Sequence, residues 1–125
     1  MLLPRLRIIL SQFSVVELCY MLYTYHEIGH LPKSFSQEIE AIVKKELIEK
    51  GDQLTLKELT LVVKVFCTAR CAHRDFHKLL ESVTLLRLPE LRQDLKTLHA
   101  IGYQFESSGL CSLDTMKALK KELFQ

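Results

Sequence analysis

FSVVELCYMLYTYHEIGHLPKSFSQEIEAIVKKEL, residues 13–47, lies without a gap over LTLKELTLVVKVFCTARCAHRDFHKLLESVTLLRL, residues 54–88, when the chain is slid over itself by 41 positions. Glu17 falls on Glu58, Leu18 on Leu59, Phe35 on Phe76, Glu40 on Glu81 and Leu47 on Leu88. Apolar character agrees more widely: Val15 with Leu56, Met21 with Val62, Leu22 with Val63, Tyr25 with Phe66, Ile39 with Leu80 and Ile42 with Val83. Within each copy apolar residues recur every three or four positions and nothing alternates, so the period is helical. A fixed period of this size, carried by pairs of helices, is the signature of a repeat architecture.

Local start signals repeat with the pattern. Ser14 with Glu17, and Thr55 with Glu58, both spell Ser/Thr-x-x-Glu. There the hydroxyl accepts from an early helical amide and the carboxylate reaches back to the cap amide. The first helix of each unit therefore starts at these residues. For the second helices, Ser34 before Phe35 and Asp75 before Phe76 are the expected N-caps. A third, less regular unit follows. Asp94, Leu95, Leu98 and Ala100 open a first helix, and Ser112 caps a second that carries Leu113, Met116, Leu119 and Leu123, at a spacing nearer 36 or 37 with Gly102 and Gly109 interrupting. The expected fold is all-α: a short α-solenoid of about three helix-turn-helix repeats in a right-handed helical-pair array. It forms one domain over 1–125, with units at about 11–48, 52–88 and 89–125, and residues 1–10 as a partial helix or targeting segment.

The bulk properties agree with one small helical domain. At 125 residues, 48% of them apolar, the chain has material for one core and little for a second. A net charge of +2 marks neither a polyanion-coating protein nor an acidic one. No apolar run approaches the eighteen or so residues of a membrane span, so integral insertion is not expected. Cys19, Cys67, Cys71 and Cys111 occur without a secretory signal pattern and are read as reduced and mostly buried. MLLPRLRIILSQFSVV carries Arg5 and Arg7 and no acidic residue before Glu17. That pattern fits a mitochondrial import signal, or else the apolar face Leu2, Leu3, Leu6, Ile9 and Leu10 of a first helix.

Two stretches invite a metal. HEIGH contains His-Glu-x-x-His, in which His26 and His30 would ligate zinc, Glu27 would serve as general base and Glu49 would complete the ligand set of a small metallopeptidase. Such a site needs a helix running through both histidines. Leu31-Pro32 follows at once, so the helix is expected to end near Gly29 and leave His30 in a turn. CTARCAHRDFH supplies Cys67, Cys71, His73 and His77, but not at the spacing of a zinc knuckle or finger. It reads instead as two core-facing cysteines and two surface histidines. No phosphate loop, dinucleotide fingerprint or serine elbow occurs, and neither a cofactor, a bound metal nor a small-molecule substrate is expected.

With its capping boxes, repeat length and the pattern F/L-S/T-x-x-E-L-x-x-M/V-L/V-x-x-Y/F, the chain resembles, over about 11–125, the heptatricopeptide-type repeats of organellar proteins, including the helical regions of FAST-kinase-domain proteins. The resemblance implies an α-solenoid, a mitochondrial address, and a place in RNA binding or in RNA-rich assemblies such as mitochondrial ribosomes. The chain departs from that family in having only about three units and no RAP-like stretch within these residues.

Two functions of different class follow. One is RNA binding, in which Lys57, Lys64, Arg70, Arg74 and Lys78 meet phosphates and Tyr20 or Tyr23 stacks on bases. The other is a purely structural subunit joining protein neighbours, for example in a mitochondrial respiratory or ATP-synthase complex. Neither end of the repeat reads as a strongly polar cap, so the ends are expected to dock on other subunits. The combined expectation is a non-catalytic helical-repeat adaptor in a mitochondrial, RNA-containing complex.

Overall fold

The computed structural model describes residues 3–123. Leu2 of the N-terminal stretch and Phe124 and Gln125 of the last expected helix lie outside the described residues. Eight helices are present among the described residues: α1 (Leu3–Leu10), α2 (Val15–Ile28), α3 (Lys33–Lys50), α4 (Leu56–Ala69), α5 (Arg74–Leu86), the short α6 (Leu88–Leu91), α7 (Leu95–Ser108) and α8 (Leu113–Leu123). No described residue is in a strand. The protein is all-α, as the period requires.

Both capping boxes form. The Ser14 hydroxyl accepts from the Glu17 amide while the Glu17 carboxylate accepts from the Ser14 amide, and Thr55 and Glu58 do the same. The first helices also end alike. Gly29, Arg70 and Gly109 take the left-handed conformation immediately after α2, α4 and α7, with φ of 82°, 52° and 67°. These three positions are equivalent in the repeat, so each first helix is closed by a left-handed residue that turns the chain back. Glycine takes that conformation freely. Arg70 does so at a cost of roughly 1 kcal/mol.

The second helices begin earlier than the sequence suggests. Pro32 and His73, not Ser34 and Asp75, occupy the N-caps of α3 and α5. Pro32 already has a φ of −62° and has no N–H to satisfy, which suits a helix entrance. At His73 the cap amide is served from outside the helix, by Glu40 on α3. Asp75 is left in the first turn of α5, where a negative charge meets the positive end of the helix dipole. The third unit is also more regular than expected: its N-caps Asp94 and Ser112 each follow Thr55 and His73 by 39 residues, not 36 or 37.

Packing follows the repeat. α2 contacts α4 and α4 contacts α7, so first helices stack on first helices. α1, α3, α5 and α8 contact one another in that order, so second helices stack on second helices with α1 in front. Equivalent apolar residues meet along each row: Leu18, Leu59 and Leu98 in one, Ile39, Leu80 and Leu119 in the other, all fully buried. Each such side chain contributes about 1.5–3 kcal/mol through removal from water.

Polar ties reinforce the rows. Arg7 of α1 makes a two-pronged contact to Glu38 of α3 at 2.7 and 3.2 Å. Arg87, just after α5, is 5% exposed; it donates to the Gly51 carbonyl at 2.9 Å and, through two nitrogens, to Glu90 at 2.8 Å. The end of α3 is thereby pinned to the end of α5.

Candidate interfaces and buried polar clusters

The structure divides the five basic residues. Lys57 and Lys64 project from α4 and, with Val16 and Tyr20 of α2 and Leu61, line a shallow groove of about 320 Å³. Tyr20 is 58% exposed there, and the Lys64 ammonium stands 5.8 Å from the centre of the Tyr23 ring. Glu58 also borders the groove, but its carboxylate is engaged with the Thr55 amide. Cations beside exposed aromatic rings can meet phosphates and stack on bases.

Arg74 and Lys78 lie elsewhere. They border a cavity of about 430 Å³ between the start of α5 and the α7–α8 turn, together with His77, Glu81 and Cys111. Arg70 sits between the two groups with its guanidinium donating to the Ser108 carbonyl at the end of α7. Its charge serves the exposed carbonyls of a helix C-terminus.

Repeat equivalence adds residues that sequence reasoning missed. Lys96 and Tyr103 on α7 stand where Lys57 and Lys64 stand on α4, and both are exposed. The stacked first helices thus carry Tyr23, Lys64 and Tyr103 at one set of corresponding positions and Lys57 and Lys96 at another, with the exposed Tyr20 beside Lys57 and Lys64 in the groove. The signal was available in the 39-residue register of the third unit.

A second pattern joins successive units. Glu40 and Glu81, matched in the repeat, are 7% and 9% exposed. Glu40 accepts from the His73 amide and faces the His73 ring, whose Nδ1 lies 2.7 Å from its second oxygen. Glu81 accepts from the Ser112 amide. Each carboxylate therefore caps the second helix of the following unit. Burial works against the charge of Glu81, but the Ser112 amide, the Cys111 thiol and the Ser112 and Thr115 hydroxyls outweigh it and hold its pKa below the ordinary value.

At HEIGH, α2 ends at Ile28 and Gly29 turns the chain, so His30 lies beyond the helix and the two imidazoles do not share a helical face. The CTARCAHRDFH residues are placed less simply. Cys67 is buried, Cys71 is partly buried and His73 is exposed, but His77 is 5% exposed, contrary to the surface position expected for it. It packs edge-on against Phe76, and its Nδ1 has no hydrogen-bond partner. Burial lowers its pKa, with the charges of Glu40, Arg70 and Glu81 as smaller influences. The spacing concealed this because position 77 lies one turn before Glu81 on the side of α5 that meets the α7–α8 turn, a neighbour distant in the chain.

Among the described residues, no group of three or more His, Cys, Asp or Glu side chains is arranged to hold a metal. All four cysteines are free thiols. Burial pushes Cys19 up to about 12, and burial with the neighbouring Glu81 pushes Cys111 up to about 12, so both stay protonated and weakly nucleophilic at neutral pH. No described helix is long and apolar enough to cross a membrane. No family model, curated protein or solved structure matches this chain.

Proposed function

We propose that this protein is a short right-handed α-solenoid acting as a non-catalytic adaptor in a mitochondrial, RNA-containing assembly such as a mitochondrial ribosome, where it contacts RNA and neighbouring proteins. The observation that carries the reading is the pair of matched sets on the stacked first helices, Tyr23, Lys64 and Tyr103 in one and Lys57 and Lys96 in the other, with the exposed Tyr20 beside them. A row of cations and rings at repeat spacing suits a single-stranded backbone, with phosphates on the ammonium groups and bases on the rings. Arg74 and Lys78 form a second patch. Arg70 contributes mainly by closing the turn between α4 and α5. The protonated thiols and the interrupted His-Glu-x-x-His favour an adaptor over an enzyme.

Sedimentation of the tagged endogenous protein from gently lysed organelles, with and without nuclease, tests the assembly. A large particle that nuclease collapses supports the reading; a light species in both conditions defeats it. For direct contact, Lys57→Glu with Lys64→Glu should weaken RNA affinity and flatten its salt dependence by about one unit of slope per lost phosphate contact. An unchanged slope would remove the first-helix face from consideration.

A second reading, a purely structural subunit of a respiratory or ATP-synthase complex, draws on the exposed apolar pair Ile8 and Ile9 on α1. In that case the particle would survive nuclease intact.

A further inference from the structure

The repeat defines which face of each unit the next unit covers. In the first unit that face includes Leu22, Ser36, Ile39, Glu40 and Val43, and in the second Val63, His77, Leu80, Glu81 and Thr84; all ten are buried. The corresponding residues of the third unit are Gly102, Met116, Leu119, Lys120 and Leu123. These line an open groove of about 300 Å³ between α7 and α8, bordered by Tyr103. Leu119 is buried in the unit itself, while Met116 and Leu123 remain partly exposed. The groove therefore has the form of a unit-to-unit junction.

One position differs in kind. Where Glu40 and Glu81 offer a carboxylate to the amide at the start of the next second helix, the third unit has Lys120. An ammonium facing the positive end of a helix is repelled by it, whereas a carboxylate at that end satisfies both. Lys120 has one weak tie, to Glu106 at 3.8 Å, with both side chains more than half exposed, and an incoming carboxylate displaces such a contact at little cost. A second copy of this chain is a poor occupant, because its leading helix α1 carries no Asp or Glu to meet Lys120.

The geometry points to the α7–α8 groove as the docking site for a helical hairpin of a different protein, with an Asp or Glu at the start of the helix that lies over α8. This rests on the adaptor reading and sharpens it by giving the neighbour a shape and a charge. Apolar side chains of the hairpin fill the groove over Gly102, Met116 and Leu119, and the acidic residue meets Lys120.

The test is site-specific photo-crosslinking in intact organelles, from a diazirine analogue placed at Met116 of the full-length chain. The expected adduct is a helical peptide of another protein with Asp or Glu in its first turn. Its yield should fall at least fivefold with Lys120→Glu and by a smaller factor with Lys120→Gln, and stay within twofold with the neighbouring Lys121→Glu. All three positions are exposed or partly exposed, so the variants should fold, and circular dichroism confirms this for each. An adduct to RNA or to a second copy, no adduct, or a yield indifferent to Lys120→Glu overturns the inference. The large particle persisting while the adduct is absent defeats the docking site alone; a light species with intact folding defeats the adaptor reading.

Discussion

The first and second units share a register but not an environment. Phe66 and Phe76 of the second unit are fully buried, with ring centres 4.3 Å apart. Their equivalents in the first, Tyr25 and Phe35, meet edge-on at 5.0 Å, yet Tyr25 is 41% exposed. The second unit has a neighbour on each side, while among the described first helices α2 packs on α4 at one side of the row. The same sequence pattern thus supplies core in one place and surface in the other, and position in the stack decides which.

The comparison breaks most directly at the aromatic pair. Phe66→Ala should cost about 3–5 kcal/mol in urea denaturation through loss of a buried ring and the cavity left behind. Tyr25→Ala should cost only about 1 kcal/mol, since much of that ring is already in water. Equal losses would show that the units are not distinguished by their neighbours.

Next come the inter-unit caps. Glu81→Ala strands the Ser112 amide beside a buried site and should cost roughly 2–3 kcal/mol, with Glu40→Ala close to it. Similar values would indicate that the carboxylate matters more than the differing residue it caps, His73 or Ser112. Gly51→Ala, by thermal melting, should lose about 2 kcal/mol, because a methyl group there presses on the Leu47 carbonyl and approaches Val83 to 3.2 Å.

Smaller effects probe the turn. Arg70→Ala keeps the left-handed strain and loses the bond to Ser108, for a cost of about 1 kcal/mol, whereas Arg70→Gly removes both and should be nearly neutral. The smallest effect concerns pH. The folded protein holds the pKa of His77 below the ordinary 6.5, so the unfolded chain binds its proton first as pH falls. Its contribution is fully present above 6.5 and declines below that value. Urea midpoints taken from pH 7.5 to 5 should fall in the native protein and fall less in His77→Leu.

The helical units were legible because their signals are local: a Ser/Thr-x-x-Glu box needs four residues, and the apolar period needs a few turns. Starts of the second helices were not, because α5 is capped by a carboxylate 33 residues earlier in the chain. The third unit's spacing was obscured where Pro89 divides the second helix into α5 and α6. For the candidate site, residue type was readable but grouping was not. Whether Lys57 and Arg74 share a face depends on how α4 and α5 are set by their neighbours, and the structure sends them to separate grooves.

The caps from Glu40 to α5 and from Glu81 to α8 give the molecule a direction. Each acceptor precedes in the chain the helix it completes, so during synthesis the receiving carboxylate is already in place when its helix emerges. Trimming from the two ends is correspondingly unequal. Removing the third unit returns Glu81 to water, where a carboxylate is well solvated, while removing the first takes from α5 an acceptor that its own sequence does not replace.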